Sequence, residues 1–328
     1  MSARILVTGG TGFLGSRIVE RLVLQGRQVR VLARAGSDTE VLESLGAEVI
    51  RGDLGDELAL QRAVKGCGVV CHAGARVETR GEWEDFSRDN VSATEKLLGL
   101  ALAQGVERFV HVSSLGIFDI PRSGITIEED SPYDARPLLR GHYTRSKIHA
   151  DRVATAAARR GAPVTVIRPG ILYGPGKPLY MGRLHRKLGR GLLLVVGSSS
   201  YLAPLCYVDN AADAVVMAAR QEGGEAGVFN VVDSPGQTHA DYFRVLGKVI
   251  GPPFRVAFLP VGLLVPALSV VSTAFKVLKR RQWAAAYQLR RSGRSAVYAT
   301  GRAREILGWK PRVGLSEALE CSVRNGLP

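Results

Sequence analysis

The sequence predicts a doubly wound α/β fold, a parallel sheet with helices on both faces and a smaller C-terminal lobe. Three observations predict it. A strand-like run passes through a glycine-rich turn into a helix at the very start of the chain. Strand-like and helix-like segments then alternate through the first half, which calls for right-handed crossovers and parallel pairing. The second half breaks this rhythm at about 171–206 and again at about 236–300.

Taken in order, Arg4–Val7 is a short apolar run with strand character. Strand-like runs recur at Gln28–Ala33, Glu48–Arg51, Gly68–His72, Arg108–Val112 and Val164–Pro169. Helical spacing appears at Ser16–Leu24, Leu58–Val64, Val91–Ala103 and Thr144–Arg160. A later helix at Asn210–Arg220 and a strand at Val228–Val232 return to the same sheet. The expected division is residues 1–170 plus about 207–235 in the sheet domain, with about 171–206 and 236–328 in the smaller lobe over its carboxyl edge, where ligands bind in such folds.

The 328 residues suffice to bury a large core, and the composition is that of a globular chain. With a first strand starting near residue 4, no cleavable signal is expected. Cys67, Cys71, Cys206 and Cys321 form no CxxC pair and no metal-like cluster, so they read as reduced thiols and no metal is expected. Cytoplasmic location is the expectation. The net charge of +14 is concentrated: residues 276–312 hold eleven Lys and Arg against Glu305 alone. A solvated basic face, an anionic membrane surface and an anionic substrate are the readings of that charge. Nucleic acid is not expected, because few aromatics interleave with the cations beyond Trp283 and Tyr287. Just upstream, 256–275 contains no charged residue. Its prolines, Gly262 and hydroxyl residues argue against a bilayer span, and favour a pocket-lining helix or peripheral membrane contact through 256–283.

The glycine turn, Thr8-Gly9-Gly10-Thr11-Gly12-Phe13-Leu14-Gly15, is what a dinucleotide pyrophosphate needs. Gly9 permits the tight turn, Gly12 lets backbone approach the phosphates, and Gly15 lets helix pack against strand. Arg34 ends the second strand where sites for the non-phosphorylated cofactor usually place an acid. A guanidinium suits a 2′-phosphate, which favours NADP(H) over NAD(H); nearby Asp38 keeps NAD(H) open. Asp53 is placed to accept from the adenine amine. Ala73 and Gly74, after His72, let a cofactor lie against the backbone, and His72 itself reads as a packed core histidine.

Tyr143 and Lys147 stand four residues apart, on one face of a helix. A free phenol, with pKa about 10, is a poor base at neutral pH. A neighbouring ammonium should lower that value, making Tyr143 a usable acid or base for a hydroxyl/carbonyl pair. Ser113-Ser114 follows the fifth strand, where a hydroxyl can donate to the substrate oxygen.

These motifs resemble the extended short-chain dehydrogenase/reductase family, the NAD-dependent epimerase/dehydratase superfamily, over nearly the whole length. The resemblance also rests on Asn90–Thr94, Arg168–Gly176, Tyr207–Asn210 and Leu307–Pro311. It implies a Rossmann domain with a substrate-binding C-terminal lobe. It assigns Ser114, Tyr143 and Lys147 to catalysis and gives Asn90 a structural role. It adds Phe13, Leu14, Leu54, Pro169 and Ile171, with Tyr143 and Lys147 themselves, to the cofactor contacts. Dimerisation through the helices at Val91–Ala103 and Thr144–Arg160 is usual in such proteins.

Within the family the chain is closest in character to 3β-hydroxysteroid dehydrogenase-like and dihydroflavonol-reductase-like members. Sugar-nucleotide enzymes typically carry a pyrophosphate-clamping arginine where this chain has Ala203 in an apolar stretch. The expected activity is hydride transfer between nicotinamide and a secondary alcohol or ketone of a bulky hydrophobic, steroid-, lipid- or polyketide-like molecule. The alternatives are a nucleotide-sugar 4-epimerase/dehydratase and, outside enzymes, a cofactor-sensing regulator.

Overall fold

The computed structural model describes residues 3–78, 81–180, 185–188, 191–220, 226–262, 287, 291 and 293–324. The first half delivers the alternation directly: β1 (Arg4–Thr8), α1 (Phe13–Leu24), β2 (Val29–Ala33), α2 (Glu40–Ser44), β3 (Glu48–Arg51), α3 (Glu57–Val64) and β4 (Cys67–His72). Next come α4 (Trp83–Phe86), a π-helical turn (Ser87–Ser92), α5 (Ala93–Ala103), β5 (Arg108–Val112), β6 (Ile125–Ile127), α6 (His142–Arg159) and β7 (Val164–Pro169). The chain continues through β8 (Ile171–Tyr173), β9 (His185–Leu188), β10 (Leu192–Val196), β11 (Leu205–Tyr207), α7 (Val208–Arg220) and β12 (Val228–Val231). The described remainder forms α8 (His239–Ile250), β13 (Arg255–Leu259), β14 (Ala296–Tyr298), α9 (Gly301–Glu305) and α10 (Leu315–Arg324).

Seven strands make one parallel sheet in the order β12-β7-β5-β4-β1-β2-β3. Strands β2 and β5 are buried along their whole length, as central strands covered on both faces should be. On one face α1 turns Leu14, Ile18, Val19 and Leu22 inward and packs beside α7. On the other, α3, α5 and α6 bury Leu60, Leu97 and Ala154 against the same sheet. The order reverses between β1 and β4, so their carboxyl ends diverge into a crevice.

Several motifs prove to be joints. Asn210 accepts from the backbone N–H groups of Arg312 and Val313, both at 3.0 Å, and its amide donates to Asp233 Oδ1 at 3.0 Å. Its carbonyl accepts the indole N–H of fully buried Trp309 at 2.9 Å. Thus Tyr207–Asn210 and Leu307–Pro311 are two halves of one clasp. Arg168 is likewise structural. Its guanidinium grips Asp151 of α6 through two bonds of 2.9 and 2.6 Å, and donates to the Glu129 carbonyl at 2.6 Å.

The smaller elements are where sequence reading falls short. Strand pairs β8/β11 and β6/β14, and the sheet β13-β10-β9, form from three- to five-residue strands. The segment expected to be helical from 256 instead begins as a strand. Val256–Leu259 pairs in parallel with Leu193–Val196, and Val256 and Phe258 pack on the main core. Alternating burial suits a β-strand, and Pro260 ends it because proline cannot donate to the ladder. Residues 263–286, which hold the rest of the apolar segment and the start of the basic one, lie outside the described residues. Among the described residues no helix is long and apolar enough to cross a membrane.

Arg168 and Asp151 are 1% and 0% exposed. Removing one charge strands the other in the core, so Asp151→Asn should cost about 3–5 kcal/mol of unfolding free energy. Denaturant unfolding measures this directly, and a loss below about 1 kcal/mol would contradict a buried, mutually dependent pair.

Candidate active site

The crevice opens as a cavity of about 590 Å³. Its floor is the glycine turn. Gly9 takes φ +71°, and a Cβ there would come within 2.7 Å of Gly74. A Cβ on Gly15 would lie 2.0 Å from the Gly9 carbonyl oxygen. The three segments are therefore in backbone contact, and side chains are excluded where β1, α1 and the loop after β4 meet.

Every residue assigned in the sequence to catalysis or cofactor contact lines this one cavity. Gly9, Gly12, Phe13, Leu14 and Gly15 come from the turn and the start of α1. Arg34 follows β2, Asp53 and Leu54 follow β3, and Ala73 and Gly74 follow β4. Ser114 follows β5, Tyr143 and Lys147 come from α6, and Pro169 and Ile171 flank the end of β7. These positions lie up to 162 residues apart in sequence, yet all sit on the carboxyl edge of one sheet.

Lys147 is buried, and its Nζ donates to the Val112 carbonyl at 2.7 Å. Burial lowers its pKa to about 8, with Asp151 one turn onward opposing the fall. Tyr143 lies one helical turn before Lys147, half-buried on the cavity wall. Here the sequence expectation needs correction. Burial raises the phenol above its ordinary value. Loss of water around the phenolate is the cause. Ser114 Oγ accepts the Gly116 N–H at 3.0 Å, leaving its own O–H free to donate into the cavity. Ser113 also lines the cavity; its hydroxyl is buried and has no hydrogen-bond partner among the described residues.

Neighbouring residues hold this arrangement. Asn90 accepts from the Arg76 N–H at 2.6 Å and donates to Ser146 Oγ at 2.8 Å, tying the π-helical turn to α6. His72 hydrogen-bonds Thr8 at 2.7 Å and Thr94 at 2.9 Å and is driven down to about pKa 3 by burial. It is the neutral core histidine its sequence context suggests. Asp38 does not line the cavity; its carboxylate accepts the Glu40 N–H at 3.1 Å at the start of α2. Ser37, Arg76 and Lys177 line the cavity without having been singled out, since no periodicity or motif marks them.

The residues fit a dinucleotide. The cradle admits only glycine, the N-cap of α1 is Gly12, and the first turn of α1 carries no acid. An uncapped helix start offers unpaired N–H groups and a favourable dipole to a phosphate. Asp53 uses Oδ1 for the Gly55 N–H at 2.9 Å, which leaves Oδ2 for a ligand.

Fold and site together define a dinucleotide-dependent oxidoreductase of the short-chain type. The chain belongs to the NAD dependent epimerase/dehydratase family, whose model matches residues 5–231. It is similar to the 4-hydroxy-2-methyl-3-oxo-4-farnesyl-3,4-dihydroquinoline-1-oxide ketoreductase of Stigmatella aurantiaca, with 28% identity over 97% of this chain and 95% of that protein. It also resembles the decarboxylating sterol-4-alpha-carboxylate 3-dehydrogenase of Dictyostelium discoideum, 29% identical over 73% of this chain and 74% of that one. Among solved structures, gox2253 superposes with a TM-score of 0.83, covering 99% of this chain and 98% of that one at 23% identity, which establishes the shared fold.

Gly15→Ala should cost about 1–3 kcal/mol of stability, because the Gly9 carbonyl must move. It should also remove nucleotide binding, read by quenching of intrinsic fluorescence on titration with NADPH or NADH. Undiminished binding would mean that the turn is not the cradle.

Proposed function

We propose that this protein is an NADP(H)-preferring reductase of a ketone carried on a bulky hydrophobic molecule. The observation that carries the reading is that the Ser114 hydroxyl, the Tyr143 phenol and the buried Lys147 ammonium open on the same cavity as the glycine cradle. When bound, the nicotinamide supplies the hydride. The protein positions the ketone and supplies the proton. Ser114 donates to the carbonyl oxygen, where negative charge develops. Tyr143 passes its proton to the same oxygen. Lys147, with N–H donors beyond the one given to Val112, would hold the ribose hydroxyls and keeps positive charge near the phenol.

Burial keeps Tyr143 in its phenol form, the form that donates to a carbonyl oxygen. A phenol that resists ionisation stays protonated at neutral pH, ready to act as the acid. NADP(H) preference is supported by Arg34 and Ser37 at the end of β2, with Asp38 turned to the α2 N-terminus. A hydrophobic substrate is supported by the similarity to a ketoreductase of a farnesylated quinoline oxide and to a sterol-4-alpha-carboxylate 3-dehydrogenase. Ala203, at the position of the sugar-nucleotide arginine, is buried.

A panel of steroid, β-ketoacyl, flavonoid and nucleotide-sugar substrates, read by nicotinamide absorbance with each cofactor, tests the reading. Turnover is expected with a lipophilic ketone and NADPH, and Tyr143→Phe should lower kcat by at least about a hundredfold. Turnover of a nucleotide sugar alone, or full activity in the phenylalanine variant, would refute it.

The pH profile follows from Lys147. Below about pH 8 its ammonium is charged and holds the ribose; above that value the charge is lost. The rate kcat/KM for reduction should therefore be level up to about pH 8 and then fall, approaching tenfold per unit. Folding stability should move the other way. Between about 8 and the ordinary lysine value of about 10.4, the unfolded chain binds more protons than the folded one, so stability gains from this group as pH rises. A level rate through about pH 10 would remove the Lys147 charge from the mechanism.

A further inference from the structure

The cavity contains a cation that neither the motifs nor the proposed chemistry has used. Lys177 lines it and stands over the ring of Phe13, with Nζ 4.8 Å from the centroid. Phe13 is the first residue of α1, directly after the Gly12 N-cap. Lys177 comes from the opposite wall. It follows β8 on a short loop where Gly174 and Gly176 take φ of +151° and +86°, and its backbone N–H is held by the Gly174 carbonyl at 3.2 Å.

The charges around it make its position informative. Two acids of the cavity are already neutralised: Arg76 pairs with Glu78 and with Asp89, each at 2.8 Å, and Arg88 holds Asp89 at 2.7 Å. Lys147 is committed to the Val112 carbonyl. Arg34 and Lys177 make no ion pair among the described residues, and they stand on opposite walls of the cavity. Arg34 lies on the β2 side, where the ribose 2′-position belongs, and Lys177 lies over the α1 N-terminus, where a pyrophosphate belongs.

We propose that Lys177 is a cationic clamp for the pyrophosphate of the bound dinucleotide, reaching from the loop after β8 across the cleft to the start of α1. The aromatic ring of Phe13 is its resting place, since a cation is attracted to the ring face. The anion is then held between backbone N–H groups of α1 and an ammonium from the opposite wall. A nucleotide bound in this way bridges the sheet domain to the loop that leads into the smaller lobe. This inference rests on the assignment of the crevice as a dinucleotide site.

Equilibrium binding, followed by intrinsic and NADPH fluorescence, provides a test that needs no turnover. Lys177→Met keeps the apolar stem on Phe13 and removes the charge. It should weaken NADPH and 2′-phospho-ADP-ribose, which has the pyrophosphate but no nicotinamide, by about tenfold. Adenosine 2′-monophosphate, which lacks the pyrophosphate, should be weakened by less than about twofold, and Lys177→Arg should stay within about threefold of the parent for all three ligands. The dependence of NADPH affinity on salt should also be shallower in the methionine variant. Unchanged NADPH and 2′-phospho-ADP-ribose binding in Lys177→Met would overturn the clamp, as would equal loss for adenosine 2′-monophosphate. Failure of the unmodified protein to bind NADPH or NADH would instead refute the dinucleotide site itself.

Discussion

The hydrogen bond from the Lys147 ammonium to the Val112 carbonyl is the constraint on which the site depends. It joins α6 to the end of β5 and so fixes where Tyr143 stands relative to Ser114. Burying an ammonium is costly unless its hydrogen bonds are satisfied and an opposite charge is near. Val112 supplies the acceptor and Asp151 the charge, yet burial still takes the pKa down to about 8. Asp151 serves twice, because the same carboxylate holds Arg168 in the core. The reactive face of α6 and its structural face are thus anchored through one helix to two adjacent strands.

Electrostatics divides the cavity. Around Tyr143 and Lys147, desolvation dominates and pushes both groups toward their neutral forms. A protonated phenol beside an ammonium of moderate pKa suits the delivery of a proton to a carbonyl oxygen. Around the glycine turn the setting is the reverse: open, lined by backbone, free of acids in the first helical turn, and faced by Lys177. That end suits a charge brought in by a ligand rather than one already present in the protein.

Most of the sheet and the site were legible in the sequence, for definable reasons. The strands of the large sheet are short runs rich in Val, Ile and Leu, and the helices between them carry apolar residues at helical spacing. The glycine turn and the Tyr143/Lys147 pair are local, so their geometry follows from a few bonds along the chain. What sequence reading missed lacks that local signature. Strands β6, β8, β11 and β14 are three residues each and exist because a distant partner completes them. Val256–Leu259 has the composition of a helix lining a pocket, but its neighbour β10 made it a strand. Burial raised the Tyr143 pKa where the sequence showed only a neighbouring ammonium.

By itself the sequence determined the alternating architecture, the glycine turn and the candidate polar groups that line the cavity above it. Each of these depends on periodicity, backbone permissiveness or side-chain chemistry within a few residues. Only the tertiary structure decided how much water each group keeps, which charges are cancelled, and that Lys177 faces Phe13. Desolvation and long-range contact are properties of the packed chain, and no window along the sequence contains them.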